Sequence, residues 1–417
     1  MDIKKLIAEY EGCPCGREHK TDIKAVEIGH NYKDNIAEIL HSVNFPEKVF
    51  AVADKNTLGA SDGIIEALER GGFKVTLKLY DNLRVADMEN VDDIAALAAD
   101  CGGFLAIGTG SIGDTCRLAA AKTNKDFAFF GTAPSMDGFA SDSAPITKGC
   151  FKISYKARQP SVIIGDTKIL AAAPAELKSS GFSDMIAKYT GLVDWDVSRF
   201  ISDEYYCPNI AALTKRATDK IVALADKITG NDETAAEAVM EALILTGVAM
   251  GFAECTRPAS GAEHIVSHFW ECKKLAEGHL SDFHGKKVGV ATILINREYR
   301  KLAEMETVRA HEEKADWEEI KAVYGPVLTP DMLKMNDPSI LDTTSPARIE
   351  AAWQDIRDSV KRFIPSEEEI LRIMKTAGCA TTIEEIGVTP ELCELGLKYH
   401  SYMRRRLTLA RIRPLIV

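Results

Sequence analysis

The chain has no basic excess: 51 Lys and Arg stand against 62 Asp and Glu among 417 residues, a net charge of −11. A nucleic-acid surface needs a cationic face to neutralise phosphates, so that class of partner is excluded. Long apolar runs are also lacking. ALILTGVAM at 242–250 and the stretch near Ala95 are too short or too alanine-rich to span a bilayer. The opening MDIKKLIAEYEGCPCG has neither a secretory core nor a cleavage pattern. The expectation is a cytoplasmic protein without a membrane span. No internal repeat or low-complexity linker occurs. Crowded cysteines are missing too: ten are scattered through a large chain, which reads as reduced thiols and not as a disulfide framework.

With 46% hydrophobic residues over 417 positions, the chain can bury two or three ordinary cores. Its first part alternates β-branched or aromatic runs (AVEIG, KVFAVAD, KVTLKLY, GFLAIG, FAFFGTAPS) with helical stretches, which implies a parallel sheet covered on both faces. Strand signals stop near Ala173-Pro174, and Ala-rich segments with apolar residues three and four apart take over. We therefore expect an α/β nucleotide-binding domain at 1–170 and an all-helical metal- and substrate-binding domain at 171–417, meeting across a ligand cleft. The Pro-punctuated segment from Trp317 to Trp353 reads as an elaboration between helices.

Several residues carry chemistry. Gly108-Thr109-Gly110-Ser111-Ile112-Gly113 follows a strand and opens a helix, an arrangement whose free amides face a phosphate. Ser111 and Asp114 are expected to form a capping box there. The motif follows about the fourth strand, which is not the usual dinucleotide order, so Asp54 at the end of an earlier strand is the candidate for the adenosine ribose. The loop TAPSMDGFAS permits close backbone approach to a ligand and offers Asp137 to substrate hydroxyls. Asp184, His264 and His284 have the composition of a catalytic divalent-metal site with a position left open. His268 lies one helical turn after His264 and is left for substrate. A nucleotide and a metal in one chain suggest redox chemistry. Cys13, Cys15 and His19 have soft-ligand composition, but a fourth ligand would have to come from elsewhere, Cys150 or another thiol, and a reduced thiol pair is the expected state. The run containing Arg404, Arg405, Arg406, Arg411 and Arg413 is expected to be solvated or salt-bridging.

GTGSIGD, TAPSMDGFAS, GFSDMIAKYTGLVDW, SGAEHIVSHFWE and FHGKKVGVAT, in this order and followed by RRRLTL, resemble the sn-glycerol-1-phosphate dehydrogenases. These form a branch, here of bacterial arabinose-operon type, of the iron-containing alcohol dehydrogenase and glycerol dehydrogenase superfamily. The resemblance implies a dehydroquinate synthase-like architecture and reversible reduction of dihydroxyacetone phosphate to sn-glycerol 1-phosphate. It implies NAD(H), with NADP(H) second, and one divalent metal, zinc or nickel before iron, in a homodimer or larger homo-oligomer. By the same resemblance Asp184, His264 and His284 are metal ligands, with His279 the alternative to His284. Asp137, Asp184 and His268 are substrate and catalytic contacts, with Lys188 and the terminal arginines as guesses for the substrate phosphate. Asp54, Gly108, Thr109, Gly110, Ser111, Ile112, Thr132, Ala133, Pro134, Ser135 and Ser141 are cofactor contacts. A glycerol or polyol dehydrogenase, a 3-dehydroquinate synthase-like lyase and a non-enzymatic nucleotide sensor are the alternatives.

Overall fold

A computed structural model describes residues 1–417. The five expected strands are present as β1 (Ala25–Gly29), β2 (Lys48–Asp54), β3 (Lys74–Tyr80), β4 (Gly103–Gly108) and β5 (Asp126–Gly131). Three more follow: β6 (Ser143–Lys148), β7 (Phe151–Lys156) and β8 (Val162–Asp166). Six form one parallel sheet in the order β1-β8-β5-β4-β2-β3, while β6 and β7 make a separate antiparallel hairpin. Gly149 and Cys150 join that hairpin, both at positive φ (53° and 67°), as a primed two-residue turn requires.

The central strands are buried on both sides, and alternate residues serve the two faces. Val49, Ala51, Leu105, Ile107, Ala128, Phe130, Val162 and Ile164 pack with Ile36, Leu40, Ile64 and Leu68 in one core cluster. Phe50, Val52, Phe104, Ala106, Phe127, Phe129 and Ile163 belong to a larger core that runs on into the helices.

From Thr167 onward the chain is helical apart from connections. The helices that matter below are α1 (Gly110–Thr123), which precedes this region, then α2 (Ala175–Ile186), α3 (Lys188–Ser202), α4 (Pro208–Val222), α5 (Glu233–Ala253), α6 (Ala262–Ala276) and α7 (His284–Ala303). Helix α5 corrects one sequence expectation. The run ALILTGVAM continues from an alanine-rich first half, and the whole helix is long and apolar enough, by length and composition, to cross a membrane. Its most apolar window is 78% buried within the protein, which makes it a core helix. The Pro-punctuated segment is itself mostly helical, Trp317–Met335 with a break at Gly325, and buries Ile320, Tyr324, Leu328 and Met332.

Strand order reverses between β2 and β4, which lie side by side with Val52 opposite Ala106. The loops leaving the carboxyl ends of these two strands therefore flank a crevice at the switch point, where open α/β sheets take ligands.

Candidate active site

That crevice opens into a cavity of about 1230 Å³ between the sheet and the helices. On the sheet side, α1 begins at Gly110 with Thr109 as its N-cap and no side-chain cap. The expected Ser111–Asp114 capping box is absent. Ser111 Oγ donates instead to the Arg84 carbonyl at 3.0 Å, and Asp114 is buried 3.8 Å from Arg117, its carboxyl pushed up to about 7 by burial. With no side chain on them, the amides of the first turn stay free for an anion. Asp54 caps the helix after β2: Oδ1 accepts from the Thr57 amide at 2.9 Å and Oδ2 from the Leu83 amide at 3.3 Å. A carboxylate retains acceptor capacity beyond two such bonds.

Asp54, Thr109, Gly110, Ser111, Thr132, Ala133, Ser135 and Ser141 all line the cavity. Gly108, Ile112 and Pro134 lie behind its wall. Ile112 is 1% exposed, and a Cβ on Gly108 would meet the Ile112 side chain at 2.6 Å.

Two close backbone approaches carry the helical side of the site inward. A Cβ on Gly181 would lie 1.9 Å from the Pro134 carbonyl oxygen, and one on Gly285 would lie 2.0 Å from that of Ser180. Only glycine lets α2 sit on the loop holding Asp137, and lets the first turn of α7 sit on α2. Asp184 and His284 are brought together in this way. From α6, His264 completes the group, and donor atoms of Asp184, His264 and His284 lie within 4.8 Å of one another. His268, one turn on, stacks on His284 with ring centroids 5.5 Å apart. His279 is exposed in the loop after α6 and outside the cluster.

The surroundings set the protonation of these groups. Burial would raise the Asp184 carboxyl, but the Lys188 ammonium, a hydrogen bond from His264 and the neighbouring imidazoles outweigh it and hold the group ionised. His264 stands between two carboxylates, Nε2 3.2 Å from Asp184 Oδ1 and Nδ1 2.8 Å from Glu263 Oε1. Burial opposes its charge, yet the hydrogen bonds to Asp184 and Glu263 raise it to about 9. Burial lowers His284 to about 3 and His268 well below the usual imidazole range.

Glu263 was not singled out in the sequence, though it immediately precedes His264. It accepts from the Gly261 amide at 2.6 Å and the Thr190 hydroxyl at 2.8 Å. A cation in place of the proton on Nε2 would leave Nδ1–H donating to Glu263, the arrangement that fixes a histidine ligand's tautomer and ring orientation. A carboxylate, an oriented imidazole and a neutral imidazole are a fitting donor set for a borderline divalent metal.

Lys188 is not available for a substrate phosphate. Its fully buried ammonium is 2.5 Å from Asp137 Oδ2 and 3.4 Å from Asp184 Oδ1, and it donates to the Ala259 carbonyl at 2.9 Å. Asp137 in turn donates its backbone amide to Asp184 Oδ2 at 3.0 Å.

The basic wall comes from residues not singled out, together with one of the terminal arginines. Lys152 on β7 and Lys287 on α7 both pair with Glu271, at 2.6 and 2.8 Å. Arg404 donates Nη1 to the Lys152 carbonyl, while its buried Nη2 has no partner. Three cations thus stand near one carboxylate beside His268, two of them paired with it, and all line the cavity. A solvated or salt-bridging role fits Arg411, which pairs with Glu313, and Arg413, which pairs with Glu298, but not Arg404.

Comparison with known proteins agrees with this geometry. The sequence model of the family described as "Iron-containing alcohol dehydrogenase" matches residues 27–174. A protein of Halalkalibacterium halodurans, named a glycerol-1-phosphate dehydrogenase (NAD(P)+), is 37% identical over 295 residues, 69% of this chain and 74% of that one. One of the same name from Bacillus licheniformis is 32% identical over 414 residues, 97% of this chain and 92% of its own. Among solved structures, a probable glycerol dehydrogenase from Sinorhizobium meliloti superposes with a TM-score of 0.63 at 15% identity, covering 94% of this chain and 92% of that one. An alcohol dehydrogenase from Oenococcus oeni reaches 0.62 at 15% identity, covering 93% and 94%. The structural likeness shows the shared fold; identity that runs through both the sheet and the helices goes further, and by it this chain belongs to the glycerol-1-phosphate dehydrogenase family.

Proposed function

We propose that the chain reduces dihydroxyacetone phosphate to sn-glycerol 1-phosphate, reversibly, with NAD(P)H and one divalent metal. The observation that carries this reading is the wall of Lys152, Lys287 and Arg404 beside the Asp184–His264–His284 cluster. A cavity for a neutral polyol has no use for two uncompensated positive charges, whereas a phosphate dianion matches them.

In this reading Asp184, His264 and His284 hold the metal, and Glu263 keeps His264 in the right tautomer. When bound, the metal supplies Lewis-acid polarisation of the substrate oxygen, and the nicotinamide supplies the hydride. The chain's own residues do the rest. The Gly110 end of α1 receives the cofactor pyrophosphate, Asp54 its ribose, and the stretch from Thr132 to Ser135 with Ser141 the remaining contacts. Asp137, fixed by Lys188, orients substrate hydroxyls. His268, neutral in its buried setting, accepts from the hydroxyl next to the reacting carbon; through it the imidazole takes up the proton released on alcohol oxidation and, as imidazolium, returns it on ketone reduction.

Residues 1–170 then form the nucleotide-binding half and 171–417 the metal and substrate half. Zinc or nickel is preferred to iron on the family resemblance, since two imidazoles and a carboxylate suit all three. A cytoplasmic location agrees with ten free thiols. A homodimer is supported by β3, an edge strand carrying the exposed Leu77 and Leu79.

The test is substrate choice. Dihydroxyacetone phosphate should be reduced much faster than dihydroxyacetone at equal concentration, because binding energy from the remote phosphate is used at the reacting carbon. The product should give no signal with an sn-glycerol-3-phosphate-specific dehydrogenase. Comparable rates with the free ketone would move the chain to the polyol dehydrogenases.

A further inference from the structure

Far from the cavity, the structure supplies the fourth ligand that the Cys13, Cys15, His19 group needs. It is Cys207, 194 residues from Cys13 along the chain. Cys150 cannot serve, since it sits at the β6–β7 turn with its thiol on the Leu275 carbonyl. Donor atoms of Cys13, Cys15, His19 and Cys207 all lie within 4.8 Å of one another. Cys13 Sγ is 3.6 Å from Cys207 Sγ, and His19 Nε2 is 3.2 Å from Cys15 Sγ and 3.9 Å from Cys207 Sγ. A tetrahedral zinc with Zn–S near 2.3 Å and Zn–N near 2.0–2.1 Å places its ligands roughly 3.6–3.8 Å apart. A disulfide would need sulfurs at about 2.05 Å, and all ten cysteines are free.

We propose that Cys13, Cys15, His19 and Cys207 form a structural zinc site that clips the N-terminal segment to the start of α4. Its surroundings are those of a built site. His19 is 4% exposed, and its Nδ1 donates to the Phe252 carbonyl at 3.0 Å, which leaves the Nε2 lone pair turned to the sulfurs. The Tyr205 hydroxyl donates to Cys15 Sγ at 3.3 Å and the Asn209 amide to Cys13 Sγ at 3.4 Å. Cys207 is the N-cap of the 15-residue α4, whose positive end favours a thiolate. Three thiolates and a neutral imidazole around a divalent cation carry one net negative charge. Those donors and the Arg17 guanidinium, 3.5 Å over the Tyr205 ring, offset it.

The site is closed, with four protein ligands and no residue on the cavity, so its role is to hold structure and not to turn over substrate. It explains how a segment with one short helix, Ile3–Ala8, and no strand before Ala25 is fixed against α4 and the end of α5.

The inference does not rest on the proposed reaction. Full-length protein loaded with cobalt should show thiolate-to-metal charge-transfer absorption, which the Asp184–His264–His284 cluster cannot give because it has no sulfur. Elemental analysis of zinc-loaded protein should find one metal equivalent fewer in Cys207→Ser and in Cys15→Ser, with a lower melting temperature and turnover retained. If neither variant folds, the cobalt spectrum of the wild type decides. Absence of the charge-transfer band in cobalt-loaded wild type, an unchanged metal count in folded Cys207→Ser, or a Cys13–Cys207 disulfide in peptide maps of freshly purified protein would each overturn the site.

Discussion

The two halves of the chain furnish the cavity by different means. The sheet half offers mainly backbone: the open first turn of α1, the loop after β5, and the carboxyl ends of β2 and β4. The helical half offers side chains: Asp184, His264, Lys188 and Glu263 are buried and each tied to at least one other charged group, and the partly buried His284 stands within reach of Asp184 and His264. Backbone sites tolerate side-chain change, because the peptide groups that bind remain. Buried side-chain networks do not, because each deletion strands a partner at a cost of several kcal/mol. Substitutions in the buried Asp184–His264–His284 network should therefore abolish function, and those around the open first turn of α1 and Asp54 should only retune it.

The largest effect is expected at the proposed metal ligands. His264→Ala or His284→Ala should lower kcat/KM by about 10³-fold or more, the loss of several kcal/mol of charge stabilisation. One metal equivalent should go with it, while the cobalt–thiolate absorption of the Cys207 site stays. His268→Ala should lose turnover but keep its full metal content. A metal-loaded His284→Ala protein beside a metal-depleted His268→Ala protein would exchange the two roles.

Next comes His400, which tests whether the helical half also limits acid stability. It is buried, its Nδ1 donates to the Gly396 carbonyl at 2.8 Å, and Nε2 has no partner. Burial, the larger influence, pushes the imidazole down to about 4 despite that bond. The unfolded chain, with an imidazole near 6.5, then binds more protons between those values. Stability is thus highest above about pH 6.5 and falls as pH drops through 4, by roughly 3 kcal/mol from this group. Denaturant midpoints measured at pH 7 and pH 4.5 should draw together in His400→Asn. An unchanged gap would remove His400 from the acid response.

Arg404→Ala sharpens the comparison from the substrate side. Losing a charge-assisted contact of about 2–3 kcal/mol should lower kcat/KM for dihydroxyacetone phosphate by roughly 30- to 150-fold. The slow reduction of free dihydroxyacetone should not change. An equal fall for both substrates would show that Arg404 supports β7 through the Lys152 carbonyl and does not bind phosphate.

The same contrast governs what could be read from sequence. β1 to β5 were legible because each is a run of β-branched or aromatic residues bounded by polar or glycine-containing turns. β8 was passed over although VIIGD is a β-branched run of the same kind, because it is short and passes directly into a helix, and β6 carries Pro145, which speaks against a strand. The glycine turn was legible as a phosphate motif, but its cap was misread: Thr109, not Ser111, is the N-cap, and the first turn carries no side-chain cap. In the helical half, Asp184, His264 and His284 were visible through ligand chemistry and family phrases. Of the basic wall beside them only Arg404 was reached, among the terminal arginines named for the substrate phosphate; nothing local marks Lys152 or Lys287 as neighbours. Lys188 was guessed for the wrong task because only packing shows it enclosed by Asp137, Asp184 and Ala259. Cys207 is the extreme case, since no spacing rule reaches across 194 residues.

The smallest expected effect lies in the sheet half, at Asp54, where backbone and side-chain roles meet. Its carboxylate caps the helix after β2, and its remaining acceptor capacity faces the cavity that would hold the cofactor ribose. A 2′-phosphate there would meet a fixed negative charge, so NADH should be preferred over NADPH by roughly tenfold, about 1.4 kcal/mol. Two variants separate the functions. Asparagine caps helices about as well as aspartate, so Asp54→Asn should keep the melting temperature and lose most of the preference; alanine should lose the preference and about 1 kcal/mol of stability. The ratio of kcat/KM for the two cofactors, read beside thermal midpoints, distinguishes these outcomes. A preference that persists in both variants would confine Asp54 to capping and leave the ribose to another residue of the crevice.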